Sequence, residues 1–137
     1  MENNLFINSI SKFKEDLIEI RFLSELVPYR TTVRFLLSLM LQDRTQKYST
    51  IIKMNQAIDD LYGASFRISN MGYGKNSVLS IQLKSINEKY ADKGHLRKRI
   101  NFLNEFIYHP LFSDEVFTEA KKDLYDHIQR IVENPER

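Results

Sequence analysis

Cysteine is absent from this sequence, proline and glycine are scarce at three and four, and neither sign of charge is in large excess. Without cysteine there are no disulfides, no thiolate metal sites and no cysteine nucleophile, so any metal would have to be held by His, Asp or Glu. The same absence is compatible with any redox compartment. Few prolines and glycines imply few long loops. The net charge of +2, from 20 basic and 18 acidic residues scattered along the chain, gives no field that would draw it onto nucleic acid or anionic lipid. Long apolar runs are missing too: the richest, Phe35 to Leu41, is broken by Ser38 and bounded by Arg34 and Gln42. Met1-Glu2-Asn3-Asn4 lacks the basic start of a secretory leader. These absences predict no membrane span and a cytoplasmic protein.

What is present is a globular profile: 137 residues, 42% apolar and 28% charged, with nine Phe and seven Tyr. A chain of this length buries roughly two-thirds of its unfolded surface, enough for one real core. Leu5-Phe6-Ile7 reads as a short strand, and Ile18, Ile20 and Phe22 alternate with Glu19 and Arg21 as a second, half-buried one. Pro28 closes the extended region, and Thr31 or Thr32 is positioned to cap a mostly apolar helix over 33–41. Its apolar residues on nearly every side predict an interior position. Ser49 or Thr50 caps a second helix carrying Ile51, Met54, Ile58, Leu61 and Tyr62, stopped by Gly63. Two alternating stretches, 64–71 and 79–84, flank Gly72-Tyr73-Gly74-Lys75-Asn76 and predict a hairpin. Helical stripes then run through 95–108, ended by His109-Pro110, and from Ser113 to about Asn134-Pro135. The order ββααββαα predicts an α+β fold, a mainly antiparallel sheet with helices on one face.

Chemistry-bearing constellations are thin. His95, His109 and His127 lie 14 and 18 residues apart, whereas zinc sites usually draw two ligands from one helix at a spacing of about three to five. Asp126 and His127 are adjacent, hence about 100° apart around a helix, and poorly placed to share one ion. No phosphate-binding glycine loop or nucleophile elbow occurs, and Gly72-Tyr73-Gly74 sits between strands rather than before a helix. Arg97-Lys98-Arg99 reads as solvated charge at the start of an amphipathic helix, without the interleaved aromatics that stack bases. Tyr73, Tyr90 and Tyr125 are candidate anchors for a protein interface.

Two strings carry a resemblance. Asp59-Asp60-Leu61-Tyr62-Gly63-Ala64-Ser65-Phe66, behind an apolar helix and before a hairpin, resembles the N-terminal region of pitrilysin/insulinase-type (inverzincin) metallopeptidases. His109-Pro110-Leu111-Phe112 and the helix that follows resemble that family's Asn-Pro-x-Phe turn and long helix. The resemblance implies that residues 1–137 are the N-terminal portion of one pitrilysin-like domain. In the family the first helix carries H-x-x-E-H, and a downstream Glu completes the zinc site. Aligning Arg44-Thr45 with the family's Gly-Thr places Phe35, Ser38 and Leu39 on the motif positions and His127 on the downstream Glu. Phe and Leu have no donor for zinc, and a serine hydroxyl is too weak a base to activate water. The resemblance therefore implies an inactive homologue with no metal and no cofactor, pairing with a zinc-bearing relative or with itself. It further implies an edge strand around Ser65, Phe66, Arg67, Ile68 and Ser69 that takes peptide by strand addition. The family's usual Asn-Ala pair on that strand is replaced here by Phe66-Arg67. The competing expectations are a peptidase subunit using unusual ligands such as His109, Asp126 or His127, and a stand-alone interaction domain.

Overall fold

The computed structural model describes residues 4–10, 12–42 and 44–134. The elements are β1 (Glu15–Glu25), α1 (Pro28–Leu41), α2 (Ile51–Asp59), β2 (Ser65–Tyr73), β3 (Asn76–Ile86), α3 (His95–Tyr108) and α4 (Asp114–Glu133), with a 3₁₀ turn at Glu88–Tyr90. The fold is α+β, as expected from strands and helices that come in separate runs along the chain. Its sheet is antiparallel in the order β1-β3-β2.

Register explains which side of the sheet is covered. Ile20 pairs with Ile81 and Ile81 with Ile68, while Ile18, Leu83 and Phe66 form the next row, so one face is an apolar band. On it sit Met54 and Leu61 from α2 and its turn, and Phe102, Leu103 and Phe106 from α3. Phe66, Phe102 and Phe106 interlock with ring centroids 4.4, 5.1 and 5.3 Å apart. The rows on the opposite face, such as Glu19, Gln82 and Arg67, are polar. There Glu19 accepts hydrogen bonds from Arg21 and from Ser80 Oγ. These hold its carboxyl below the ordinary glutamate value, against the opposing effect of burial.

Local chemistry sets the boundaries. Ser113 and Thr50 cap α4 and α2 through side-chain oxygens that accept from Val116 N–H and Lys53 N–H. The β2–β3 hairpin turns through Gly74 and Lys75, with Gly74 at φ +61, the glycine-first pattern of a tight two-residue turn.

Three readings need correction. Leu5-Phe6-Ile7 forms no strand: the three residues are 85–87% exposed, and no neighbouring strand among the described residues offers them a ladder. Pro28 does not precede α1 but starts it, at the first helical position where its missing N–H costs nothing. Thr31 and Thr32 accordingly lie inside the helix, their hydroxyls donating back to the Val27 and Pro28 carbonyls. Helix α1 is also less buried than its composition predicts. Only Ser38 and Leu41 are fully enclosed, while Tyr29 and Val33 face outward. Pro135, expected to follow the stop of α4, lies outside the described residues.

Candidate functional site

Helix α1 packs along α4, and this contact brings the degenerate motif positions together. Phe35 and Leu39, four residues apart on α1, share a face. The Phe35 ring stacks on the His127 imidazole with centroids 4.9 Å apart and planes inclined by 26°. His127 is otherwise exposed, and Leu39 is half-buried. Ser38 is buried, and its hydroxyl donates to the Phe35 carbonyl at 2.6 Å. That oxygen is occupied by its own helix, in the back-bonded geometry common for serine in helices.

The chemistry available here is packing. An imidazole stacked on a phenyl ring gains dispersion and excludes water from one face. Among the described residues no three His, Asp or Glu side chains converge to hold a metal ion. His109 is the C-cap of α3, its N–H donating to the Glu105 carbonyl. Asp126 accepts through its main-chain carbonyl from the Arg130 side chain.

The second of the two strings, His109–Phe112, is joined by main-chain contacts to the residues just after α1. Thr45, fully buried, forms an isolated antiparallel bridge with Pro110, and the Gln46 N–H donates to the His109 carbonyl at 2.9 Å. Beside this bridge Arg44 pairs with Glu119, and with Glu115 at 3.8 Å, on the first turns of α4. The α1–α2 and α3–α4 connections thereby fix how α4 lies against α1.

Strand β2 borders the site. It pairs only with β3 among the described residues, which leaves its other edge open. The expected peptide-binding residues divide by pleat. Phe66 and Ile68 point into the core, with Phe66 held against Phe102 and Phe106, whereas Ser65 and Arg67 are exposed and Ser69 half-exposed. With its amide oriented to satisfy both ends, Asn70 donates to Ser77 Oγ and accepts from the Phe35 N–H at 3.2 Å, linking β2 to α1.

Elsewhere an open groove of about 590 Å³ between α2 and α3 is lined by Tyr48 and Phe102 and by Lys47, Lys53 and Lys98. Sequence reasoning missed a different cluster. Arg99 is not solvated like Arg97 and Lys98 but fully buried, reaching Asp16 at 3.3 Å, while Asn87 donates to both oxygens of Asp16. Its place three and four residues before Phe102 and Leu103, on the inward stripe of α3, was the available signal.

No family profile matches the sequence, and no curated protein matches it either. Among solved structures the chain is similar to a conserved protein from Enterococcus faecalis V583, at 28% identity and a TM-score of 0.87. The match covers 91% of this chain and 31% of that protein, so the chain spans less than a third of that relative's length. No helix among the described residues is long and apolar enough to cross a membrane.

Proposed function

We propose that this chain is a non-catalytic, pitrilysin-like peptidase homologue, the N-terminal portion of one such domain, acting in the cytoplasm. It pairs with a zinc-bearing relative and helps to hold extended peptide along β2. One observation carries the reading: the positions aligned with the first zinc-binding histidine and the downstream glutamate are 92 residues apart in sequence, yet the ring centroids of Phe35 and His127 lie 4.9 Å apart. Contact between two positions chosen only for their alignment with metal ligands supports that alignment. The residues there keep the helix packing, and Phe35 brings no donor atom to stand beside the imidazole of His127.

The open edge of β2 supports the peptide-holding half of the reading, because strand addition needs unpaired main-chain groups beside a rigid sheet. The exposed Ser65 and Arg67 would contact side chains of the added strand.

The test is metal content of the purified, dialysed chain, run with a generic peptide cleavage assay and co-purification with a zinc-bearing relative expressed alongside. The expected result is below about a tenth of an equivalent of zinc, no cleavage and a stable complex. Near one equivalent of zinc, or hydrolysis by the chain alone, rejects the reading.

A further inference from the structure

His95 is the first residue of α3 and is buried to 1% exposure, an unusual setting for an ionisable ring. Its Nε2 lies 3.0 Å from Ser85 Oγ, and that oxygen lies 2.9 Å from the Leu61 carbonyl. A serine hydroxyl has one proton, and a carbonyl can only accept. Ser85 therefore donates to Leu61 and accepts from His95, which fixes the neutral ring with its proton on Nε2. Nδ1 is left as a bare acceptor with no partner.

The charges around the ring oppose a second proton. Fully buried Arg99 lies one turn along α3, its Nε also without a partner, and Lys98 adds positive charge from the same helix. The N-terminal end of α3 contributes the positive pole of the helix dipole. Glu88, from the 3₁₀ turn, and the Ile86 carbonyl of β3 act the other way. Tyr62, from the α2–β2 turn, meets the ring edge-on at 5.1 Å. A second proton would add charge to an enclosed ring beside Arg99 and Lys98, with the Ile86 carbonyl and Glu88 as its counterweights among these groups.

We propose that neutral His95 is a latch that keeps the Leu61–Ala64 turn closed and that protonation releases it. The turn needs holding, since Tyr62 sits at φ +59, a left-handed conformation unfavourable for a residue with a Cβ. Three contacts restrain it: Ser85 on the Leu61 carbonyl, the Asp92 N–H donating to the Tyr62 hydroxyl, and the Tyr62 ring on His95. Two of the three pass through His95 or its serine.

Burial, followed by Arg99, holds His95 below the ordinary histidine value. The open turn therefore binds a proton at a pH where the closed turn refuses it. The closed form is weakened as pH falls below the ordinary histidine value and is unaffected above it. Strand β2 begins at Ser65, directly after the turn. Any loss of peptide capture in acid rests on the functional reading above, whereas the latch itself does not.

The experiment is amide hydrogen exchange by NMR on the 137-residue chain, corrected for intrinsic rates, between about pH 7.5 and about pH 5. The Tyr62, Gly63 and Ala64 amides, which donate to Asp59 and Ile58 carbonyls, report the turn, and those of Phe102 and Phe106 serve as reference. Protection of the turn is expected to fall toward about one decade per pH unit below the ordinary histidine value, with the reference amides flat. His95→Gln, which keeps a neutral donor and does not titrate, is expected to abolish that slope. Equal protection across the range in the unaltered chain, or the same fall in His95→Gln, overturns the proposal. If that variant does not fold, the unaltered chain still decides. The His95 ring signal and the Gly63 amide must move with one midpoint, and separate midpoints overturn the latch. No peptide is present, so failure here is distinct from failure of the peptide-holding reading.

Discussion

Phe35 on α1 and His127 on α4 stack ring on ring at 4.9 Å, and through them the two longest-separated motif positions are in contact. If this contact occupies the place of a metal site, donors introduced there should recover one. The combination Phe35→His, Leu39→His and His127→Glu supplies three ligands from two packed helices. Zinc near one equivalent per chain is expected for the triple variant by metal analysis after dialysis, and below about a tenth for each single variant. Zinc-free triple variant that remains folded would show the alignment to be wrong.

The same stack is a modest contributor to stability. Phe35 is half-buried and Phe106 is 1% exposed among other aromatics. Phe106→Ala is expected to cost about 3–5 kcal/mol and Phe35→Ala roughly half that, because a partly exposed ring leaves a smaller void. Urea unfolding midpoints of the two variants check the ranking.

Arg99 and Asp16 form a pair of unequal partners, with side-chain exposures of 1% and 38%. Asp16→Asn leaves a buried guanidinium without its anion, a loss expected toward the lower end of about 3–5 kcal/mol because water reaches Asp16. Replacing both, with Arg99→Met alongside Asp16→Asn, is expected to recover much of that loss in the same unfolding assay.

Glu19 gives the open sheet face an acid dependence. Arg21 first, then Ser80 and Gln82, favour its charged form over the opposition of burial. With the folded value depressed, its contribution is complete above the ordinary glutamate value and is lost as pH falls through the folded one. Glu19→Gln should therefore lower the melting temperature at neutral pH and narrow its gap to the unaltered chain on acidification below about pH 4.

Much of this architecture was legible in the sequence because its signals are local. Alternation of Ile18, Ile20 and Phe22, the Thr50 and Ser113 caps and the glycine at the hairpin each reveal their element from neighbouring residues. Errors arose where the deciding term is long-range. Leu5-Phe6-Ile7 has strand composition, but pairing requires an adjacent edge. Arg99 looks solvated beside Arg97 and Lys98 until Asp16, 83 residues away, is brought beneath it. His95 likewise reveals nothing by its spacing, since Ser85 and the Leu61 carbonyl approach it only once β3 and the turn are in place. The stacking of Phe35 on His127, from helices far apart in the chain, was not readable either.

The bridge between Thr45 and Pro110 bears on the order of folding events. Gln46 and Pro110, beside it, are 64 residues apart in the chain, whereas the β2–β3 hairpin closes over two. Loop closure over such a span loses more chain entropy and is rewarded only after both helix pairs have formed. The bridge therefore belongs to the late side of the folding barrier, where its loss speeds opening more than it slows assembly.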